Sequence, residues 1–220
     1  MISRIVLSQT YRQRSVANPK NDREHIAVTD PTNRFLYQMR VRRLPGEAIR
    51  DAMLQCSGRI NLQPIAGSVA THRTAFMTGR GARGSGPLDG DGRRSVYLSV
   101  YRNFVNPFML AFDMPNPFGP KGQRSNSNVP AQALTLMNDP FVIGQAKTWA
   151  KKIVASKQDD TARIQEMVRK AHGVRPTESQ LERYRKFLEI QKKEYGNNEA
   201  QAWADLTHAI FNMKAFYFLK

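Results

Sequence analysis

The segment DPFVIGQAKTWAKKIVA, residues 139–155, carries the clearest helical pattern in the chain. Asp139 followed by Pro140 is typical of a helix start, because a carboxylate caps free backbone N–H groups and proline suits the first helical position. The apolar side chains of the segment recur at intervals that place them on one face: Val142, Ala146, Trp149, Ala150 and Ile153. The segment therefore predicts a long helix with one buried face.

The segments on either side extend this helical pattern. A short helix is predicted over residues 130–137, and Gly173 ends a further apolar stripe formed by Ile164, Met167, Val168 and Ala171. Thr177 and Gln180 form a capping-box pattern that opens the next helix, and residues 203–217 carry the apolar positions of the last one. The sequence predicts a mainly α fold, with an irregular N-terminal half that holds one or two short strands and a C-terminal helical array.

The N-terminal half contains one well-marked helix and one ambiguous segment. A helix over residues 45–57 is predicted, ending at Gly58, because four apolar residues form a single stripe: Ile49, Ala52, Met53 and Cys56. Asp30 and Pro31 resemble a helix cap, so a short helix is favoured over residues 35–41. The alternation of apolar and polar residues in the same segment also suits a strand.

Alternation is clearest at residues 94–101, where it predicts a strand with Val96, Leu98 and Val100 on one face. The preceding segment, residues 58–93, holds eight of the 14 glycines and predicts a long loop. The loop includes a literal G-x-G-x-x-G at residues 79–84. No apolar strand precedes this motif and no helix follows it, so a flexible loop is favoured over a dinucleotide site.

These patterns predict a single domain over residues 1–220. Its parts are a helical and irregular part at 1–57, the Gly-rich loop at 58–93, a strand and Pro-rich wrap at 94–129, and the helical array at 130–220. Ile2, Ile5 and Val6 are spaced as in a helix that no capping residue precedes. We therefore expect the chain to begin inside the domain and to expose an apolar patch there.

Basic residues outnumber acidic ones by 34 to 18, which gives a net charge of +16. In residues 1–94, 15 of the 16 basic residues are arginine. Because a guanidinium matches the oxygens of carboxylate, phosphate or sulfate, this excess suits a polyanionic partner. The alternative is that the arginines pair internally or are simply solvated.

Several classes of protein are excluded or disfavoured by what the sequence lacks. With Cys56 as the only cysteine, there is no internal disulfide, no Cys-rich zinc site and no covalent haem attachment. The four histidines lie far apart, so neither a metal site nor any other cofactor is predicted. No apolar run approaches the ~18 residues of a membrane span, and the N-terminus does not have the pattern of a signal peptide.

Two sets of residues are candidates for function. Glu47, Arg50 and Asp51 share one helical face and are predicted to form an ionic network, the alternative being ordinary surface ion pairs. The residues that join them in space are predicted to be Asp30, Asn33, Arg34 and Arg43. The candidates for binding a polyanion are Arg40, Arg42, Arg80, Arg83, Arg93 and Arg94.

The same residues belong to a series of ordered motifs. In chain order these are Thr10-Tyr11-Arg12-Gln13, Asp30-Pro31-x-Asn33-Arg34, Arg43-Leu44-x-x-Glu47-Ala48-x-Arg50-Asp51, Arg94-Ser95-Val96-Tyr97, Ala111-Phe112-Asp113, Asn128-Val129-Pro130-x-Gln132 and Arg175-Pro176-Thr177. The series resembles the planctomycete family known as domain of unknown function 1553, or planctomycete-specific domain one. The resemblance extends over essentially the whole chain.

The resemblance also has implications for the location of the protein and for its partner domains. It implies an exported protein of the periplasm or cell envelope, in which further N-terminal domains, often cytochrome-c-like, precede this one as partners. The chain would then be a C-terminal fragment, and the family supplies no catalytic residue to carry over. It also implies an association with the breakdown of sulfated polysaccharides.

Three functions follow from these observations. The favoured one is an accessory or binding domain of an exported bacterial protein. The second is a polysaccharide-processing enzyme that uses the carboxylates of Glu47 and Asp51. The third is non-specific binding of nucleic acid or another polyanion through the arginines.

Overall fold

A computed structural model describes residues 1–13, 15, 29–77, 84–156 and 158–219. The chain divides into two compact units, the first formed by Met1–Leu44 with Tyr217–Lys220 and the second by Pro45–Phe216. The described residues are mainly helical, which confirms the predicted fold class. Within them, no helix combines the length and the apolar character needed to cross a bilayer.

The first unit contains a short helix and a two-stranded ribbon. Helix α1 spans Ile2–Val6, as the apolar spacing predicts, and its apolar side chains are exposed. Strand β1, Arg42–Arg43, pairs antiparallel with β2, Phe218–Leu219, so that Arg42 faces Leu219 and Arg43 faces Phe218. Strand β1 lies in the half of the chain for which one or two short strands are predicted, whereas its partner β2 lies in the segment predicted as part of the helical array.

The helix predicted over residues 35–41 is wrong. The carboxylate of Asp30 accepts hydrogen bonds from the backbone N–H groups of Arg34 and Phe35, each at 2.9 Å, and thereby closes a turn. Asn33 and Leu36 have φ angles of 54° and 53°, in the left-handed region that a right-handed helix cannot include. Asp30 therefore caps a turn instead of a helix.

The second unit consists of helices joined by irregular segments. The helices that follow α1 are α2 Gly46–Ser57, α3 Pro107–Ala111, α4 Pro130–Asn138, α5 Pro140–Val154, α6 Asp160–His172, α7 Glu178–Glu194, α8 Glu199–Phe211 and α9 Lys214–Tyr217. Tyr217, the last residue of α9, already belongs to the first unit. Two single 3₁₀ turns precede α3, at Gly90–Gly92 and Ser95–Tyr97.

The helix ends follow the local signals in the sequence. The Asp139 side chain accepts the Phe141 N–H at 2.8 Å at the start of α5, and Thr177 and Gln180 form a reciprocal capping box at the start of α7. Helix α2 ends at Gly58, which has a left-handed φ of 66°. These local interactions explain why the helices begin and end close to their predicted positions.

The core of the second unit lies between α5 and α8. The ring of Trp149 stacks on that of Phe211 with centroids 5.3 Å apart, and Trp203 is fully buried. The Thr207 hydroxyl donates to the Ala146 carbonyl at 2.9 Å, which satisfies a polar group inside this contact. Helix α2 packs against α5 and α3, and this packing fixes the face of α2 that carries Glu47 and Asp51.

The strand predicted over residues 94–101 is also wrong. The Ser95 backbone N–H donates to the Asp51 carboxylate at 2.7 Å, and the chain turns at Ser95–Tyr97. Only Leu98 is left in an isolated parallel bridge, to Val69. Val96 is 73% exposed and Val100 52%, so the alternating residues do not form one buried face.

Candidate functional site

Arg50 organises the surroundings of the site from inside the protein. Its side chain projects from α2 and is almost fully buried, with only 3% of the residue exposed. The guanidinium donates to the carbonyl of Asp89 at 2.6 Å, to that of Arg93 at 2.9 Å and to the Ser95 hydroxyl at 3.1 Å. Burial lowers the pKa of Arg50, whereas the charges of Asp51 and Asp89 raise it. Arg50 therefore ties the end of the glycine-rich segment to α2.

Asp51, the next residue of α2, holds the adjoining turn through its carboxylate. Its Oδ1 accepts the backbone N–H of Ser95 at 2.7 Å and the Ser95 hydroxyl, also at 2.7 Å. Its Oδ2 lies 3.5 Å from Nε of Arg94, whose side chain is about half exposed. One carboxylate thus fixes both the turn and the arginine beside it.

A cavity of about 560 Å³ opens beside this turn. One wall is the first half of α2, with Glu47 and Asp51, and the opposite walls are residues 94–100 and 105–114. Arg94 and Arg124 line it together with aliphatic and methionine side chains. Its volume lies within the range typical of small-ligand sites. We call this cavity the arginine cleft.

Arg124 reaches the cleft from the Pro-rich segment that precedes α4. Its Nη1 donates to both carboxylate oxygens of Glu47, at 2.9 and 3.0 Å. The Arg124 side chain is 53% exposed and that of Glu47 is 29% exposed, so the pair lies at the rim. The same segment is anchored at Ser127, whose backbone N–H donates to Asp113 at 2.7 Å.

The candidates for an ionic network fall in both units. In the second unit, Glu47, Arg50 and Asp51 lie together on α2 and interact with residues 93–95 and 124, as described above. In the first unit, Asp30 belongs to the turn at residues 30–36, and the backbone N–H of Phe35 lowers its pKa most strongly. Asn33, also in the first unit, donates through Nδ2 to the Gln38 carbonyl at 2.8 Å. Arg34 is exposed, whereas Arg43 is buried and donates to the Leu44 carbonyl.

The polyanion candidates have different surroundings. Of the four candidates within the described residues, Arg94 alone lines the arginine cleft. Arg93 is half-buried and donates to the side chain of Asn61 and to the Gln63 carbonyl. In the first unit, Arg40 donates to the Thr32 carbonyl at 2.9 Å and Arg42 is exposed on β1. Arg80 and Arg83, with most of the G-x-G-x-x-G motif, lie outside the described residues.

Sequence reasoning did not single out several residues of the cleft. Arg124 lies 77 positions from its partner Glu47, and no periodicity links two residues so far apart. Ser95 was visible only as part of an expected strand, and Met109 and Met114 only as apolar residues in or after a short helical turn. The available signal was the motif Arg94-Ser95-Val96-Tyr97, which falls within the cleft wall apart from Tyr97.

Cys56 and the three histidines within the described residues, His72, His172 and His208, do not line the cleft. Cys56 is buried on α2, and this burial raises the pKa of its thiol from 9.0 to about 12, as suits a core residue and not a nucleophile. Within the described ranges, no group of three or more His, Cys, Asp or Glu side chains is arranged to hold a metal ion.

The fold and the cleft define a mainly α-helical domain with a ligand-sized cleft whose rim carries paired arginines and carboxylates. The chain belongs to the family PSD1, described as "Protein of unknown function (DUF1553)", whose model matches residues 1–188. This membership confirms the family predicted from the ordered motifs. No curated protein and no solved structure matches the chain.

Proposed function

We propose that the chain is a binding domain without catalytic activity of its own and that the arginine cleft binds an anionic ligand. The observation that carries the proposal is the presence of Arg94 and Arg124, both about half exposed, at the rim of one cavity of ligand size. Charged groups that converge on a largely apolar cavity are typical of a binding site.

The arrangement of the other arginines supports a localised site over a diffuse surface charge. Arg50 is buried against backbone carbonyls, and Arg163, whose side chain is 11% exposed, pairs with Glu199 at 2.7 Å. These two guanidiniums are engaged inside the protein and are not accessible to a polyanion. The net charge of +16 still attracts anions at low salt, but we expect the specific contacts to come from the cleft.

An enzyme remains the second candidate because Glu47 and Asp51 line the same cleft. All four of their carboxylate oxygens already accept hydrogen bonds from Arg124, Ser95 or Arg94. A general acid or base needs a carboxyl group that is free to exchange a proton with the substrate. The observed contacts therefore favour a supporting role for the two carboxylates over a catalytic one.

The family resemblance supports three more specific proposals. The ligand is a sulfated polysaccharide, the chain belongs to an exported protein of the cell envelope, and its partners are cytochrome-c-like domains. Sulfate groups suit guanidinium donors, so a sulfated oligosaccharide is the first ligand to test. Nucleic acid fits less well, because none of the described residues that line the cleft is aromatic and could stack on bases.

The test is a calorimetric titration of the chain with a heparin-derived octasaccharide. We expect saturable binding that weakens as salt is raised and that falls about tenfold or more when Arg94 and Arg124 are both replaced by glutamine. Arg102→Gln is the matched control, because Arg102 is an exposed arginine of the same unit that does not line the cleft. Equal losses in the control and in the double variant would refute the cleft as the site.

A further inference from the structure

The two cleft arginines have donor groups left for a ligand. Among the contacts of the described residues, Arg124 donates only through Nη1, to Glu47, and Arg94 only through Nε, to Asp51. The Nε/Nη2 edge of Arg124 and the Nη1/Nη2 edge of Arg94 therefore remain available. Each edge is a two-donor fork that matches a carboxylate or sulfate group.

The charged groups of the cleft keep more free donors than acceptors. Both oxygens of Glu47 accept from Arg124, and Oδ1 of Asp51 accepts two hydrogen bonds from Ser95. The lone pairs that remain on these carboxylates lie beside guanidinium groups, which repel a cationic ligand, whereas an oxyanion can bind to the unused edges of the guanidiniums. The hydrogen-bonding capacity of the cleft is thus suited to a negatively charged head group.

Below this charged rim the cleft wall is aliphatic. Within the part of the chain that the structure describes, its large apolar members are Val96, Leu98, Val100, Val105, Met109 and Met114, and none of the lining residues is aromatic. Val96 and Val100 are among the large apolar side chains left exposed. Flexible methionine side chains adapt to chains of variable shape, whereas nucleic-acid bases are bound by stacking on aromatic rings. The wall therefore suits an alkyl chain.

We infer that the arginine cleft selects an amphipathic anion, in which a carboxylate or sulfate head group is attached to an aliphatic chain. This inference rests on the proposed function that the cleft binds an anion, and it assigns an alkyl oxyanion as the ligand in place of the sulfated oligosaccharide. The head group pairs with the free edges of Arg94 and Arg124, and the chain replaces water along Met109 and Met114. Burial of methylene groups then adds affinity that a purely polar anion lacks.

The experiment is calorimetric titration of the full chain with octanoate and with octyl sulfate, below micelle-forming concentrations and at 0.5 M salt. Butyrate tests the contribution of the chain, and octyl glucoside tests that of the charge. We expect butyrate to bind at least about tenfold more weakly than octanoate, because it lacks four methylene groups. We expect Arg94→Gln/Arg124→Gln to lose about tenfold in affinity for both octyl anions, with Arg102→Gln unchanged.

The outcomes separate this inference from the proposed function. The ratio of the affinities for octanoate and octyl sulfate identifies the preferred head group, and binding of either one supports the inference. Octyl glucoside binding as tightly as octanoate would overturn it, and so would an affinity independent of chain length. If neither octyl anion binds while the octasaccharide still requires Arg94 and Arg124, the inference fails and the proposed function stands.

Discussion

The Arg50 side chain joins two segments that are distant in the sequence, α2 and residues 89–95. It lies on α2 and bonds to Asp89, Arg93 and Ser95, all at least 39 positions away. A buried guanidinium without these acceptors would be strongly unfavourable, because its charge would be removed from water without compensation. Arg50 is therefore a structural residue of the cleft, and the residues that touch the ligand are proposed to be its neighbours Arg94 and Arg124.

Replacement of Arg50 by alanine tests this assignment. We expect Arg50→Ala to lose ~3–5 kcal/mol in the free energy of unfolding, because the carbonyls of Asp89 and Arg93 lose their donors. Arg50→Lys should also be destabilised, since one ammonium group does not reproduce the planar fork. Urea denaturation followed by circular dichroism gives both values, with Arg102→Ala as the control. An Arg50→Ala protein with the wild-type midpoint would contradict the assignment.

At the level of single residues, the sequence identified Glu47, Arg50, Asp51 and Arg94 but not their partners. The first three were found because helical periodicity places them on the polar face of a helix that was itself well marked. Arg124 and Ser95 were missed, because their pairing with α2 depends on how the chain folds back over 44 to 77 residues. No local pattern carries that information.

The helices were predictable because the signals for a helix lie within it and at its ends. Asp139, Thr177 and Gly173 each act through contacts within about four residues, and a sequence pattern displays these directly. The failures at residues 35–41 and 94–101 have two different origins. Asp30 accepts the N–H groups of its near neighbours Arg34 and Phe35 and closes a turn where capping suggested a helix. Asp51, 44 positions away, accepts the Ser95 N–H where alternation suggested a strand.

The segment between α2 and residue 94 depends on glycine at a close approach. Gly92 has a φ of 69°, its carbonyl accepts the Asn61 N–H at 2.7 Å, and a Cβ added to it would lie 2.1 Å from the Arg59 carbonyl oxygen. Any residue with a Cβ atom is disfavoured at this position, both by the left-handed conformation and by the lack of space. Gly92 thus permits the approach that delivers Arg93 and Arg94 to α2.

We expect Gly92→Ala to destabilise the protein by more than ~1 kcal/mol, through backbone strain and displacement of the neighbouring segment. Gly84→Ala is the matched control in the same segment, because a Cβ there would meet no atom within 4 Å. The comparison uses urea midpoints of the two variants. Equal urea midpoints of the two variants would contradict this expectation, because residues 89–94 would then accommodate a Cβ at position 92 without loss of stability.

On the scale of the whole molecule, the sequence predicted the class of fold and the family, but composition was a poor guide to the site. The charge of +16 suggests a surface that binds anions everywhere. In the second unit, Arg50 is buried against backbone carbonyls and Arg163 is largely buried beside Glu199, so the net charge does not tell which guanidiniums can contact a ligand. Such internal pairing depends on the folded arrangement and has no signature in a count of residues.

The central claim is that the ligand occupies the arginine cleft, and methyl NMR of the methionines tests it most directly. Two of the nine methionines, Met109 and Met114, line the cleft, whereas Met137 on α4 and Met167 on α6 do not. On titration of ¹³C-methyl-methionine protein with the sulfated octasaccharide, we predict saturable shifts of the Met109 and Met114 signals, with Met137 and Met167 unmoved. The shifts should disappear in Arg94→Gln/Arg124→Gln. Saturable binding that leaves Met109 and Met114 unshifted would contradict the claim.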